Sequence, residues 1–220
     1  MKKLASTIVI AFFTLSVFSQ DTYVTSGFES IFSFADIDDN GNNPSSTLRW
    51  APFLNLQTFL NHDLSENFGL FTGLAIRNVG YIYDGYQNQS ELEYKKKFRS
   101  YNLELPIGIK IGNLSKLFIY GGYEIGVPFV YKEKTFDRGD KINKITGWFS
   151  NRQNSFQHGF LVGIQLPYGT NIKFKYYLSE FHNQNFTEAN GNKPYAGLDT
   201  NVFYISLSSN LFKNFGLNEY

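Results

Sequence analysis

The sequence predicts an all-β fold: an eight-stranded, antiparallel, up-and-down transmembrane β-barrel. Three observations lead to this fold class. Apolar and polar residues alternate with period two, tight turns alternate with long polar connections, and aromatic residues make up 18% of a chain without cysteine. The alternation is clearest in "YNLELPIGIKIG", residues 101–112. Its odd positions are apolar apart from one phenol, so a strand here has one apolar face and one face of small and charged residues.

Eight segments share this alternation, and each is long enough, or nearly so, for the roughly 9 to 11 tilted residues of a membrane-crossing strand. The predicted strands cover residues 26–35, 47–60, 67–83, 98–112, 117–131, 155–166, 170–179 and 201–212.

The connections alternate in length, as they do in outer-membrane barrels, where one rim consists of minimal hairpins. The short ones cover residues 61–66, 113–116 and 167–169. The long ones, predicted to be external loops, cover residues 36–46, 84–97, 132–154 and 180–200.

The two faces of these strands favour a membrane over water. In lipid every backbone polar group needs a partner inside the protein, so a spanning sheet must close. The apolar face then points outward, and the small and charged residues fill a narrow lumen. A soluble lipocalin-like barrel is the alternative, with its apolar face around a ligand. Pro52, Pro106 and Pro128 fall inside predicted strands, where each removes a ladder donor, so we expect bulges there.

The N-terminus reads "MKKLASTIVIAFFTLSVFSQD", two lysines before an apolar run and a small residue. This predicts a signal peptide over residues 1–19 and a barrel domain over residues 20–220. The apolar run, Leu4 to Phe18, is shorter than the roughly 18 to 20 residues of a membrane-spanning helix. A net charge of +1 gives no case for nucleic acid, and the lack of cysteine excludes disulfides and thiol catalysis.

"YNLELPIGIKIG" followed by "LFIYGGYEIGVPF" resembles the central strands of the PorT-like outer-membrane β-barrel family. "NHDLSENFGLFTGLAI" is similar to the hairpin that precedes those strands in the family. The resemblance implies an integral outer-membrane barrel of a Gram-negative bacterium. PorT itself serves a protein-secretion system, and the resemblance leaves open whether this chain has such a role.

Charged residues on the small, polar faces predict an ion network inside the lumen. Symmetric pairing across the predicted loop 84–97 places Arg77 opposite Glu104, and the next turn places Glu104 beside Glu124. Because buried charge must be paired, we expect a structural plug; the alternative is a gate or a path for small ions. Glu104 and Lys110 lie roughly 20 Å apart at ~3.3 Å per residue, too far to pair with each other. The predicted network residues are Glu29, Arg77, Glu104, Lys110, Glu124, Lys173 and Lys175.

The first long connection contains a weak calcium candidate. Asp36, Asp38 and Asn40 match the start of a calcium-binding loop, with a glycine after them. The twelfth position is Thr47, where a bidentate glutamate is expected, and no helices flank the segment. The alternative is a solvated turn rich in Asp and Asn.

One segment has the residue types of a hydrolytic site. "SEFHNQN", beside a long connection, contains Ser179, Glu180 and His182, which are of the types Ser, acid and His. Ser179 and Glu180 would point to opposite faces of a strand, and a triad is defined by geometry rather than proximity. We therefore expect polar residues at a strand end and no catalytic residues.

The predicted function is that of a non-enzymatic outer-membrane protein, a structural or partner-binding component with a plugged lumen. The alternatives are a narrow pore for small solutes and a lipid A-modifying enzyme. The expected partners are the lipid bilayer and lipopolysaccharide, whose phosphates the run Lys95 to Lys97 would face. The other expected partners are the barrel-assembly machinery during insertion and an unidentified protein. No cofactor and no nucleic acid are expected.

Overall fold

The structure, a computed structural model, describes residues 21–87 and 93–215, so the predicted signal peptide lies outside the described residues. Twelve strands and one 3₁₀ turn at Pro167–Gly169 form the described part. The strands are β1 (Asp21–Asp39), β2 (Ser46–Thr47), β3 (Arg49–Ala51), β4 (Leu56–Ser65), β5 (Phe68–Val79), β6 (Ile82–Gln87), β7 (Glu93–Asn113), β8 (Leu117–Asp137), β9 (Asp140–Trp148), β10 (Gln157–Gln165), β11 (Thr170–Tyr177) and β12 (Leu198–Phe215).

Eight of these strands close into an antiparallel ring, which confirms the predicted barrel. Its order is β1, β4, β5, β7, β8, β10, β11 and β12, and β12 returns to β1. The closing ladder runs from Tyr23 opposite Phe215 to Asp39 opposite Leu198. A closed ring satisfies the backbone without an exposed edge inside a membrane.

The barrel has two different ends. At one end, here the turn end, β4 joins β5, β7 joins β8 and β10 joins β11 through connections of two to four residues. At the other, the loop end, β7 and β8 continue beyond the ring. Each has 21 residues, about 70 Å at ~3.3 Å per residue, roughly twice what a bilayer crossing takes. There β6 pairs with β7, and β9 pairs with β8.

These extensions correct two predicted loops. Residues 84–97 and 132–154 were expected to be external loops, but most of their described residues belong to β6, β7, β8 and β9. Outside the membrane the outward face of this sheet is largely charged, and its inward face mixes polar with aromatic residues, so the apolar and polar alternation is lost from the sequence. The pairing itself persists, with Lys97 opposite Lys134 and Lys134 opposite Lys144.

Prolines and one glycine interrupt the strands. Residues 47–60 were expected to be one strand, but Pro52 follows the end of β3, and the wall resumes at Leu56. Pro128 adjoins a bulge, as expected, because the register shifts opposite Tyr101 and Asn102. At Gly80, with φ +149°, β5 gives way to β6, so the predicted strand 67–83 is also divided.

Pro106 shows how the wall tolerates a missing donor without a bulge in its own ladder with β8. The β5–β7 ladder pairs Thr72 with Ile107 and next pairs Ala75 with Glu104, leaving the proline region unpaired on that side. The Thr72 hydroxyl donates a 3.0 Å hydrogen bond to the Pro106 carbonyl and bridges the interruption.

Side chains also repair the wall between β3 and β5. Arg49 donates to the Asn78 carbonyl at 3.1 Å, and the Asn78 amide donates to the Asn55 side chain at 2.6 Å. The Asn55 side chain in turn donates to the Ala51 carbonyl at 2.7 Å. These bonds replace a backbone ladder where the chain is irregular, as a lipid-facing wall requires.

The apolar faces point outward, as predicted. Ile107 and Ile119 are 58% and 57% exposed, whereas Glu124 and Lys175, on the opposite face, are fully buried. This arrangement is the reverse of a lipocalin-like barrel and fits a sheet surrounded by acyl chains. In the described part of the chain, no helix has the length and apolar character needed to cross a bilayer. The exposed wall residues include Leu56, Leu60, Leu70, Leu74, Leu103, Leu105, Ile109, Ile111, Val127, Phe160, Val162, Phe174, Ile205 and Leu207.

Small residues on the inner face make room for rings. A Cβ at Gly163 would collide with the Tyr120 ring, and one at Gly108 would collide with the Phe71 ring. Phe71 and Tyr120 pack edge to face with ring centroids 5.8 Å apart. The glycines of the inner face therefore let large side chains fill a narrow lumen.

Ile109→Arg is expected to block membrane assembly, because a lipid-facing arginine costs about 2 to 4 kcal/mol near the midplane. Gln165→Asn, on the lumenal face, is expected to assemble almost normally. The measurement is the fraction of each variant that is folded in isolated outer membranes, read from heat-modifiable electrophoretic mobility. Equal assembly of the two variants would contradict the assigned faces.

Candidate functional site

Six of the seven predicted network residues meet in the middle of the lumen. The Arg77 guanidinium lies 3.3 Å from a Glu104 oxygen and 3.1 Å from a Glu124 oxygen. It also forms an ion pair with Glu29. Arg77 is fully buried, so each of these contacts is made away from water.

Two lysines of β11 complete this group. Lys173 lies 2.7 Å from Glu29, and Lys175 lies 2.8 Å from Glu104 and also pairs with Glu124. Three cations and three carboxylates therefore balance, which buried charge requires. We call these six residues the central ion cluster: Glu29, Arg77, Glu104, Glu124, Lys173 and Lys175.

The predicted register of this cluster was wrong by two residues. Arg77 lies opposite Asn102 rather than Glu104, and Glu104 lies opposite Gly126 rather than Glu124. The turn at residues 114–116 sets Asn113 opposite Leu117, which shifts the whole β7–β8 ladder. The long side chains reach diagonally across the lumen and still bring the same charges together.

Every strand of the ring contributes to this plug. The Gln57 side chain accepts a 3.3 Å hydrogen bond from Arg77, and Tyr177 donates to Glu104 at 2.5 Å. Asn102 donates to Glu104 at 3.1 Å and to Gln157 at 2.8 Å. The contributors, one from each strand in ring order, are Glu29, Gln57, Arg77, Glu104, Glu124, Gln157, Lys175 and Ser206, which donates to Glu29.

Lys110, the seventh predicted network residue, is not part of the central ion cluster. It lies toward the turn end, where it pairs with Asp63 and donates to Tyr23 at 3.1 Å and to Asn61 at 3.2 Å. Lys110 contributes to the lining of a cavity of about 340 Å³ at this end of the lumen. The central ion cluster forms no part of that cavity's lining.

At the loop end, the connection between β11 and β12 folds into the mouth of the barrel. Residues 180–200 were expected to form an external loop, but Phe181, His182 and Tyr195 are almost completely buried. The imidazole of His182 stacks on the Tyr195 ring with centroids 4.4 Å apart. Its Nε2 lies 2.8 Å from the Tyr81 hydroxyl.

A buried glutamate ties this connection to the wall. Glu133 of β8 accepts hydrogen bonds from Tyr131 at 2.9 Å and Tyr195 at 2.6 Å, and it pairs with Lys96 at 2.9 Å. Burial opposes its charge, but Lys96 and these hydroxyls hold the pKa of Glu133 below its usual range. We call Tyr81, Tyr131, Glu133, His182 and Tyr195 the mouth cluster.

Burial sets the protonation of the histidine in the mouth cluster. It lowers the pKa of His182 to about 3, and the nearby Glu133 only partly offsets this shift. His182 is therefore neutral at physiological pH and acts as a flat ring among aromatic residues. The sequence carried one signal of this packing, three aromatic residues (Phe181, Phe186 and Tyr195) in a connection expected to be solvated.

Ser179, Glu180 and His182 do not assemble into a catalytic triad. The Ser179 hydroxyl accepts a 3.0 Å hydrogen bond from the His158 backbone amide. Glu180 accepts one from Gln184 at 2.8 Å, and His182 lies in the mouth cluster. Nucleophilic catalysis requires a base within hydrogen-bond reach of the serine. Glu180 and His182 both have other partners and do not fill that role for Ser179.

The calcium candidate has the geometry of a hairpin. Asp36 and Asp38 lie in β1, and Asn40 and Gly41, with φ 54° and 86°, occupy the corners of a tight turn. Asp39 and Asn42 exchange backbone hydrogen bonds of 2.7 and 3.1 Å across it. The Asn-Gly pair is therefore a type I′ turn. The described residues contain no group of three or more His, Cys, Asp or Glu side chains arranged to hold a metal ion.

A comparison with protein-family models and one with curated proteins each give no match. Among solved structures, the chain is similar to Ail, the attachment invasion locus protein of Yersinia pestis, in complex with the heparin analogue sucrose octasulfate. The identity is 8%, the TM-score is 0.40, and the match covers 90% of this chain and 100% of that one.

Two other solved structures are similar. Neisserial surface protein A has 10% identity and a TM-score of 0.37, over 88% of this chain and 100% of that one. The outer membrane protein OprG from Pseudomonas aeruginosa has 12% identity and a TM-score of 0.31, over 89% and 97%. Likenesses at this level give neither a family nor a function. The closed eight-stranded ring with its apolar wall is itself the architecture of outer-membrane proteins, and the chain belongs in that membrane.

Proposed function

We propose that this protein is a non-conducting, non-enzymatic outer-membrane barrel that holds an external sheet and an ordered connection as a binding platform. The observation that carries the proposal is the closure of the lumen at two levels by buried side chains. The central ion cluster closes its middle, and the mouth cluster closes its loop end. With the turn end toward the periplasm, the platform faces the cell exterior.

The closure argues against a pore. An eight-stranded barrel has a lumen just wide enough for side chains. Here six charges are buried within it and balanced, with no side chain more than 4% exposed. Moving an ion past them would separate several buried pairs, each costly to break.

The loop end supports the platform. The β6–β7–β8–β9 sheet extends beyond the apolar wall, and the buried contacts of Glu133, His182 and Tyr195 hold the β11–β12 connection against it. An outer-membrane protein needs no such ordered extension merely to span the bilayer. A preformed surface binds a partner at lower entropic cost than a mobile loop.

We also propose that the chain is a PorT-like barrel with a partner in the envelope. The resemblance of residues 101–112 and 117–129 to that family supports this, and the partner is an unidentified protein. The experiment is a pull-down of the full chain from detergent-solubilised outer membrane.

Two exposed residues make that pull-down specific to one rim. Ile142 of β9 is 56% exposed, and Tyr168 at the turn end is fully exposed. Ile142→Asp is expected to lose the co-purifying protein, whereas Tyr168→Asp is expected to retain it. If only Tyr168→Asp loses the co-purifying protein, the partner binds at the periplasmic rim, which would contradict a binding platform at the loop end.

Wild-type protein in planar bilayers is expected to show no stable open channel. Arg77→Ala removes the central cation and leaves three carboxylates facing two lysines, so water and cations are expected to enter. We expect cation-selective openings in this variant. Stable openings of the wild type would overturn the sealed-lumen proposal.

Lys110→Ala is the matched control for conductance. It also removes one buried lumenal cation, but below the central ion cluster. This variant is expected to stay silent. If Lys110→Ala conducts as Arg77→Ala does, closure does not lie at the central ion cluster.

Acid is expected to loosen the barrel through His182. Its folded pKa of about 3 lies below the unfolded value of 6.5, so the unfolded chain binds more protons in that window and stability falls as pH drops. From pH 6.5 to 5.0 the loss is about 2 kcal/mol. Urea unfolding of vesicle-inserted protein measures it.

His182→Asn is expected to be less stable at pH 7.5 and to lose this pH dependence. His158→Asn, at an outward-facing position of β10, is expected to keep it. If the stability of His182→Asn still falls as the pH drops, another group is titrating.

A further inference from the structure

The outward face of the sheet above the barrel carries a dense group of cations. These residues alternate with inward-facing ones along β7 and β8, so they share one face with the lipid-facing residues below. We call them the basic wall: Lys97, Arg99, Lys132, Lys134, Lys141 and Lys144.

The backbone register places these cations directly beside one another. Lys97 lies opposite Lys134, and Lys134 lies opposite Lys144, so one row across three strands is entirely lysine. In the next row toward the membrane, Arg99 lies opposite Lys132. Like charges opposite each other destabilise a sheet, so folding alone does not favour this arrangement.

Within residues 21–87 and 93–215, no carboxylate forms an ion pair with the basic wall. The neighbouring cations differ, because Lys95 pairs with Asp84 at 2.7 Å and Arg138 pairs with Asp137 at 3.4 Å. Partial burial, and then repulsion from Arg99 and the nearby lysines, lowers the pKa of Lys134. The wall therefore concentrates positive charge that the described chain does not neutralise.

An aromatic girdle lies directly below the basic wall. The Phe129 ring lies 6.4 Å from Tyr101 and 6.1 Å from Trp148, centroid to centroid. The Lys132 ammonium lies 5.1 Å from the Tyr101 ring centroid. Below the girdle the apolar wall begins at Leu103, which is 47% exposed. Aromatic girdles mark the membrane interface in such barrels.

The spacing places the cations at the depth of lipid headgroups. The rows of Arg99 and Lys97 lie two and four residues beyond Tyr101, roughly 7 and 13 Å along the strand at ~3.3 Å per residue. Strand tilt shortens this height. The headgroup region adds roughly 5 to 8 Å on each side of the hydrocarbon core, so the wall overlaps it.

We propose that the basic wall binds the phosphate groups of lipopolysaccharide in the outer leaflet. The inference rests on the outer-membrane location that the proposed function also assumes, and adds a ligand and a site to it. The commitment to a lipid rather than a soluble polyanion follows from continuity with the lipid-facing surface. The run Lys95 to Lys97, predicted from sequence, is largely not the site: Lys95 is paired with Asp84, and Lys96 points inward to Glu133.

The test is binding of purified, folded protein in nanodiscs of zwitterionic lipid to bisphosphorylated lipid A, with monophosphorylated lipid A and a soluble sulfated polysaccharide in parallel. The triple variant K97Q/K134Q/K144Q removes the row of lysines. At about fivefold per cation near a charged membrane surface, lipid A binding is expected to weaken about a hundredfold.

A control with the same charge change is K116Q/R138Q/K193Q, whose residues lie outside the wall. It is expected to bind lipid A within twofold of the wild type, and both variants are expected to keep the heat-modifiable mobility of a folded barrel. Equal weakening by both variants would reduce the effect to net charge and overturn the proposal. Preference for the soluble polysaccharide over lipid A would overturn the choice of ligand.

Failure of the membrane location, on which the proposed function also depends, gives a different result. A chain that does not insert into lipid at all would overturn both the membrane location and the site. A chain that inserts, folds and binds lipid A no better than the zwitterionic lipid would overturn the site alone.

Discussion

The pairing of Arg77 with three carboxylates inside the lumen is the constraint on which the rest of the barrel depends. A fully buried guanidinium needs counter-charge from several directions, and here β1, β7 and β8 supply it. Those carboxylates in turn need Lys173 and Lys175 of β11. Because the lumen satisfies its own charges, the outer wall is free to be almost entirely apolar. Burying such a network adds little net stability, but a partly formed one is strongly destabilising, so it favours a single register.

The faces of the strands could be predicted from the sequence because lipid and lumen impose opposite demands on alternate residues. Residues 101–112 carry that pattern without interruption, and six of the seven expected network residues meet. The register of β7 against β8 could not be predicted, since the three-residue turn at 114–116 sets every pair of that ladder up to the bulge and no side chain encodes it. Lys110 shares the face of Glu104 but lies six residues closer to the turn end. The sequence thus predicts the strand face on which a residue lies, but it does not predict the height of that residue in the lumen.

The long connections failed as predictions for a different reason. Beyond the membrane the outward face of the sheet no longer meets lipid, and its inward face mixes polar with aromatic residues, so β6 and β9 lack the regular alternation that marks a membrane strand. The connection after β11 does the opposite and buries Phe181 and Tyr195 in the barrel mouth. Polar composition made it look solvated, although its aromatic residues are those of a packed segment. An imidazole held neutral by burial fits this setting, and so His182, a catalytic candidate in sequence, becomes a packing residue in space.

The net charge of +1 conceals a separation of charge that only the fold reveals. The central ion cluster contains three charges of each sign, so this cluster contributes nothing to the balance. Lys97, Lys134 and Lys144 stand in one row on the exterior, without a carboxylate partner in the described chain. Repulsion along that row is relieved where anions supply the missing counter-charge. Since the girdle of Tyr101 and Trp148 sets the row near the membrane surface, the nearest dense source of anions is the headgroup layer itself. The same strands therefore keep charge neutral inside the barrel and unbalanced outside it, and the unbalanced part lies where phosphate is available.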